Sequence, residues 1–569
     1  MAARAVRVIT EVAAVDRPFD YALSDTTSHV GVGDRVRVDF NHRSVRAWVI
    51  DETGPSPELK TIKKWLGYGP PPSMLGLLKW ASDRWYGSLS RFLLSASPRR
   101  VITVIPSPPE AAPLSKTVRD SSFTVAPGVV QVAPTTDPLA LVLGAYEATR
   151  EADGSLLVLV PNESWAIRLR GRLEQRGCAV ASGPEQWDRM RAGWPVVVGA
   201  RGAALAPVPK VAGAVIIDAD DESYRSSATP TWEAVAMLRE RCRLDGAPLW
   251  CTSIIPSPTL IGSSSYEKED DLACGWPRLD VIDRRSSDPR DGVLAREALD
   301  AAHRALAGDE AIAVVVILQR LGSGRLLACV ACGELSRCAQ CGQAEEEVEG
   351  QLACSERHAR RARFCRACGS TNLKRLRGGV TTLARDVSVQ LGQSVSEVTA
   401  ATDPSATLAR VVVGTEATWQ RVRRCDVVIF VDFDQYLLAP RESARRTAIN
   451  AVGKAGRLVG SRREGRGQVV LQTRRGDDAV VKALVDGDFD AIVAEDDAMA
   501  KLLGLSPYGA SAEVSGEGAE LFVEGLATLP VTVERTPTGY VVRSKDEMTL
   551  TSALRSGERP AQKFRVAVR

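Results

Sequence analysis

The chain has 569 residues, 44% of them hydrophobic, and 73 basic against 70 acidic side chains, a net charge of +3. That length predicts several domains with sizeable cores, and no apolar run approaches the ~18–20 residues of a membrane span. A near-neutral balance gives no bulk signal for nucleic acid, and nothing at residues 1–19 reads as a secretion signal, so a cytoplasmic protein is expected.

The first section, residues 1–105, opens with short β-rich segments at 6–12 and 35–40, the latter alternating Arg-Val-Arg-Val-Asp-Phe at strand period. A helical stretch at 74–94 follows. Pro106, Pro108, Pro109 and Pro113 then mark a linker over 106–121. From 122 to 285, apolar strands at 129–132, 155–160, 195–198 and 214–217 alternate with amphipathic helix, as at 163–176, which predicts a parallel sheet with helices on both faces.

A second α/β section, 286–486, begins with a helix at 294–307 and a buried-type strand at 311–318. A cysteine-rich module at 326–376 interrupts it, and strands at 410–413 and 426–431 resume it. The last section, 487–569, is expected to be a small α+β domain: a helix near 494–503, then strands at 520–523, 531–534, 539–542 and 563–568. No repeat of fixed period and no long low-complexity tract is present.

Seven of the twelve cysteines lie in the interrupting module, as Cys329-x2-Cys332, Cys338-x2-Cys341, Cys354 and Cys365-x2-Cys368. Two residues between thiolates let one tight turn aim both sulfurs at a single ion, the geometry of a closed tetrahedral zinc site. A disulfide framework suits a small secreted domain instead. Zinc is therefore the expected cofactor, in a structural role, because four protein ligands leave no position for a reacting water. Cys178, Cys242, Cys251, Cys274 and Cys425 are scattered among apolar residues and read as inert thiols.

Local charge differs from bulk charge. Residues 357–377 carry Arg357, Arg360, Arg361, Arg363, Arg366, Lys374, Arg375 and Arg377 with no acid between them, a run suited to phosphates or simply a solvated basic face.

Two parallel-sheet sections in series suggest a motor with nucleotide in the cleft between them, yet the phosphate loop is missing. A Walker A loop needs glycines whose N–H groups wrap phosphate, then Lys and Ser or Thr. After strand 129–132 the chain reads Ala133-Pro134-Thr135-Thr136-Asp137-Pro138, and its only Gly-Lys pair, Gly453-Lys454, is followed by Ala455. Two prolines lack N–H groups and an aspartate repels anions. A Walker B position survives as Asp218 at the end of a buried strand, followed by Ala219 where a second acid is needed, with Asp220 and Asp221 as possible stand-ins.

With these residues in view, the chain resembles the PriA family, the replication-restart DNA helicases also called primosomal protein N. The resemblance runs over nearly the whole sequence. It is most specific in the cysteine module, where the family has four Cys-x2-Cys pairs serving two zinc ions. By that pattern Cys329, Cys332, Cys365 and Cys368 would hold one ion, and Cys338, Cys341 and Cys354 the second, with His358 at Cys-x3-His spacing as its fourth ligand. Gly-Ala-Arg-Gly-Ala-Ala-Leu-Ala-Pro at 199–207 and Gly-Thr-Glu at 414–416 look like degraded family motifs. Gly-Lys-Ala-Gly-Arg at 453–457 is similar to the sixth helicase motif, leaving Arg457 as its surviving arginine.

The resemblance implies two RecA-like helicase lobes, degenerate here, with an inserted zinc-binding module, an N-terminal β-rich DNA-binding domain and a small C-terminal α+β domain. Arg-Pro-Phe-Asp-Tyr at 17–21 and the run at 33–41 look like the domain that captures a nascent-strand 3′ end. Phe19, Asp20 and Lys60 would then be pocket residues, with Asn41 departing from the family's glycine. The family's winged-helix domain has no counterpart after the linker.

No catalytic residue is assigned. Asp218 and Arg457 would mark a degenerate nucleotide site, and Arg360, Arg361 and Arg363 a DNA contact. The implied function is a primosome factor, a nucleoid-associated monomer that binds forked or single-stranded DNA and helps reload the replicative helicase. Its partners would be helicase-loading proteins and single-strand-binding protein, and ATP with Mg2+ lacks its expected grip. The alternatives are an ATP-dependent 3′-to-5′ helicase with an unconventional nucleotide site, and a zinc-stabilised scaffold that binds only proteins.

Overall fold

The computed structural model describes residues 4–569 apart from 13–14, 55, 57, 116–124, 263, 286–291, 320–326, 341–343, 355–359, 376–379, 404 and 440–442. No helix among the described residues is long and apolar enough to cross a membrane.

The N-terminal sheet is antiparallel and five-stranded, in the order Phe19–Ala22, Ala5–Thr10, Arg43–Thr53, Arg35–Phe40, Lys64–Trp65. The alternating segment at 35–40 is a strand over those same residues. Phe40 pairs with Arg43 across a two-residue turn in which Asn41 (φ 46°) and His42 (φ 60°) are both left-handed. Such a turn matches the twist of the flanking strands, and asparagine is the residue other than glycine that best tolerates it.

The expected single helix at 74–94 is two helices, Leu75–Arg84 and Leu89–Ala96. The break falls at Tyr86 (φ 48°) and Gly87, where a Cβ would come within 2.9 Å of Pro230. Leu77, Trp85 and Phe92 from these helices share a core with Leu157 and Val197 of the next section. The proline-rich stretch has no regular structure through 115, but its far end is anchored: Tyr146 donates to the Ala112 carbonyl at 2.7 Å, and the Leu114 N–H donates to Glu147 at 2.7 Å.

Two parallel α/β lobes follow, the architecture expected. The first has seven strands in the order Tyr266–Lys268, Gly128–Gln131, Leu249–Ser253, Val211–Ile216, Ser155–Leu159, Val196–Gly199, Val180–Ser182. The second has six, in the order Arg278–Asp283, Gln468–Thr473, Val427–Phe430, Val314–Ile317, Val411–Gly414, Val395–Val398. Central strands such as Val314–Ile317 are buried at every position because helices cover both faces, which is why they read as unbroken apolar runs. Arg278–Asp283, placed by sequence in the first section, pairs with Gln468–Thr473 and so belongs to the second sheet.

The C-terminal section is an antiparallel four-stranded sheet with helices, an α+β unit. The strand expected at 520–523 is instead part of helix Ala519–Glu524. Its buried residues Ala519, Phe522 and Val523 are spaced three and four apart, the helical period, and a four-residue apolar window could not separate that from a strand.

Candidate functional site

The sequence-derived site residues fall in three places: the cysteine module, the cleft between the lobes and the N-terminal domain.

In the module, Cys329 and Cys332 end the strand Leu327–Cys329 and its turn, and Cys365 and Cys368 form a matching turn. The four sulfurs all lie within 4.8 Å of one another, with Cys329–Cys368 at 3.5 Å and Cys332–Cys365 at 3.6 Å. These separations are too long for disulfides and close to the edge of about 3.8 Å expected for a tetrahedron with ~2.3 Å zinc–sulfur bonds. Each turn closes the same way. Gly333 (φ 75°) donates to the Cys329 carbonyl at 2.9 Å, and Gly369 (φ 74°) donates to the Cys365 carbonyl at 2.8 Å.

Burial alone would raise the Cys329 thiol, but the N–H groups of Cys332 and Ala331 aimed at its sulfur outweigh that and bring it down to about 7. The donor set and its spacing fit zinc, which would be held as a structural ion. The glycine after each second cysteine was a legible signal that the Cys-x2-Cys spacing alone did not use. Of the second proposed set, Cys338 and Cys354 are both buried, while Cys341 and His358 lie outside the described residues.

The arginine run differs from expectation. Arg361 donates to Glu345 at 2.9 and 3.0 Å and to the Ser336 hydroxyl at 3.0 Å, with the two charged side chains only 12% and 4% exposed. Arg363 pairs with Glu347 at 3.3 Å and donates to the Thr371 carbonyl at 2.7 Å, and Arg360 pairs with Glu349 at 3.0 Å. The acids come from the hairpin Glu345–Val348 and Gln351–Cys354, so a run with no acid inside it acquires them in space. Arg366 and Lys374 are exposed and form no ion pair among the described residues.

The cleft between lobes is organised by the strand ends of the first sheet and the helix Ala444–Val459 of the second lobe. Asp218 follows strand Val211–Ile216 with a left-handed backbone, φ 53°. Arg457 reaches it from the other lobe with both terminal nitrogens at 2.7 Å, donates Nε–H to the Pro134 carbonyl at 2.9 Å, and stacks 5.0 Å from the Trp165 ring centre. Thus Asp218 and Arg457 are brought together.

The two stand-in acids are engaged as well. Asp220 accepts from the Ser253 hydroxyl at 2.9 Å and the Ser257 N–H at 3.1 Å, and burial raises its pKa. Asp221 pairs with Lys454 at 2.8 Å. Burial would raise it, but the ammonium outweighs that and holds it below the ordinary carboxylate value.

Where a phosphate loop would follow strand Gly128–Gln131, carboxylates of the chain itself accept from nearby donors. Glu269 accepts from the Ala133 N–H and the Thr136 hydroxyl. Asp137 caps the helix Pro138–Thr149 by accepting from the Leu139 N–H at 3.0 Å, and is itself gripped by both arms of Arg172, one at 2.8 Å. The positive end of that helix is therefore already answered. A cavity of ≈ 380 Å³ remains, whose wall carries Asp137, Asp218, Glu269, Asp270, Asp271 and Glu464 against Arg457 and Arg463. Four of these carboxylates are paired, Asp218 with Arg457, Asp271 with Arg463, Asp137 with Arg172 and Glu464 with Arg466. Glu269 was not singled out from sequence because it lies 136 residues from Ala133.

In the N-terminal domain, Phe19 is partly buried, edge-on to Phe40 at 4.9 Å, with Arg17 5.1 Å over its ring. Asp20 accepts from Arg7 at 2.9 and 3.2 Å, and that hydrogen bond holds its pKa below the usual value. Lys60 is exposed, its carbonyl accepting from the Ala22 N–H at 2.9 Å, which places it beside the strand that carries Phe19 and Asp20.

Residues 7–98 match the family model of the PriA 3′ DNA-binding domain. The replication restart protein PriA of Thermotoga maritima is 22% identical over 342 residues, which are 55% of this chain and 45% of that protein, so the chain spans just under half the length of this relative. Solved structures with some likeness include RecG bound to a three-way DNA junction (10% identity, TM-score 0.38, 68% of this chain and 47% of that one). Another is a DEAD box protein from Methanococcus jannaschii (12% identity, TM-score 0.29, 65% and 86%). These structural likenesses are weak, and the parallel sheets themselves define the lobes. The chain thus carries a segment matching the PriA 3′ DNA-binding domain and is similar over just over half of its length to a replication restart protein PriA, without a Walker A motif.

Proposed function

We propose that the protein is a replication-restart factor that binds forked or branched DNA and helps reload the replicative helicase without ATP-driven unwinding. The observation that carries this reading is the combination of a 3′ DNA-binding domain at residues 7–98 with a phosphate-loop position whose donors are taken by Glu269 and Asp137. Single-strand ends are held by an aromatic face beside hydrogen-bonding and basic groups, and the reading assigns those parts to Phe19, Asp20 and Lys60, which lie on or beside one strand. Helicase-loading proteins and single-strand-binding protein are the partners this role calls for, in the cytoplasm at the nucleoid.

The test compares binding of a fork with a free 3′ end against blunt duplex at fixed salt. Preference for the fork supports the reading, and equal or absent binding ends it. DNA-stimulated ATP hydrolysis would favour the motor reading instead.

One observation favours a narrower role for the cysteine module. With Arg360, Arg361 and Arg363 engaged by the module's own glutamates, its basic run supports a protein-facing or purely structural part, with Arg366 and Lys374 the exposed cations without ion pairs among the described residues of that run.

A further inference from the structure

We infer that the two lobes are held in one closed arrangement by the chain's own ion pairs, which stand where a bridging nucleotide would stand, so that closure is permanent and independent of ATP. The inference deepens the non-motor reading above, but it concerns the protein without DNA.

Nucleotide-driven lobes close because a triphosphate on one lobe attracts an arginine from the other. Here that arginine already has an anion. Arg457 meets Asp218 through two contacts of 2.7 Å, and one turn earlier Lys454 meets Asp221 at 2.8 Å, with both aspartate side chains only 8% exposed. The same guanidinium donates to the Pro134 carbonyl, so a single second-lobe helix grips the former phosphate loop and the former Walker B turn together. Burial protects these pairs from screening by salt.

An apolar seal lies beside the charges. Ile254 and Ile255 of the first lobe belong to the same core as Ala448, Val452 and Ala455 of the second. The approach is so close that a Cβ on Gly453 would sit 2.8 Å from Ile254 Cδ1 and 3.4 Å from Pro134. Any side chain there would have to push the end of Ile254 aside. Two independent interactions therefore close the same seam.

Hydrogen exchange of the full-length protein, without DNA, tests this. In the wild type, amides at 218–224 and 252–257 are protected, and millimolar ATP leaves them unchanged. Arg457→Glu raises their exchange at least about tenfold while the sheet at 5–53 keeps its protection. Gly453→Val, which opens the seam by bulk instead of charge, exposes the same two segments. If Arg457→Glu unfolds the whole chain, Gly453→Val decides. Unchanged exchange in a folded variant, or a wild-type response to ATP, overturns the inference. Fork binding is measured separately, so loss of fork preference with an intact seam refutes the proposed function alone.

Discussion

The Glu269 carboxylate accepts from the Ala133 N–H at 2.8 Å, placing an anion of the chain itself at the start of the segment where a Walker A loop would wrap a phosphate. The same oxygen takes the Thr136 hydroxyl at 2.6 Å. The Ala133 N–H and the Thr136 hydroxyl are thus satisfied within the chain.

Replacing Glu269 by Gln weakens two charge-assisted hydrogen bonds and is expected to cost about 1–3 kcal/mol in urea unfolding. It is not expected to create ATP affinity, because Asp137 and the prolines remain. Calorimetric titration with ATP, with and without forked DNA, checks both halves, and DNA-accelerated turnover by any of these proteins would refute the account of the cleft.

Zinc removal should act locally. Chelation, or Cys365→Ser, is expected to release the ion and to deprotect amides over 327–375 while the lobe strands Val314–Ile317 and Val427–Phe430 keep theirs. Metal analysis should return at least one zinc per chain, and loss of global protection on chelation would contradict a self-contained module.

Charge replacements in the module separate structure from DNA contact. Arg361→Ala leaves Glu345 buried and unpaired and is expected to destabilise the module by about 3 kcal/mol, read as faster zinc loss. Arg366→Ala and Lys374→Ala touch exposed cations instead. Each is expected to lower the salt dependence of fork binding by roughly one counterion without altering zinc retention.

At the end of the second-lobe strands, Asp434 is fully buried, and burial followed by the neighbouring Asp432 charge raises its pKa to about 6. A carboxyl raised in the folded state stabilises it fully only below its unfolded value near 3.9, and that contribution is lost as pH climbs through about 6. Because the carboxylate also accepts from the Thr473 hydroxyl and the Arg474 N–H, Asp434→Asn is expected to lose those bonds at every pH but to compare more favourably with the wild type at pH 7 than at pH 4. Unfolding curves of both proteins across pH 4–7 check the sign.

In the N-terminal pocket, Phe19→Ala is expected to weaken binding of a 3′ single-strand end by about tenfold, in line with one lost stacking contact. Binding of blunt duplex should not change. Asp20→Asn has a second consequence, since it also loosens the pair with Arg7 across adjacent strands.

Local pattern determined much of this molecule by itself. The strand at 35–40, the alternation of buried strands and helices, and the cysteine spacing are all set by residues within a few positions of each other. Their periods report which faces meet water and which meet the core. Where a short window admits two periods, as at Phe522 and Val523, the sequence was ambiguous and packing of the C-terminal sheet selected the helix.

Tertiary structure alone decided who neutralises whom. Arg361 finds Glu345 16 residues away, Ala133 finds Glu269 across 136, and Arg457 finds Asp218 across 239. A one-dimensional charge pattern holds no information about such partners, because Coulomb attraction depends on distance in space and on shielding from water, both of which exist only once the sheets have closed on each other. Sequence could say that the glycine-lysine grip was gone. Only the folded chain shows that its own acids and arginines now fill that position.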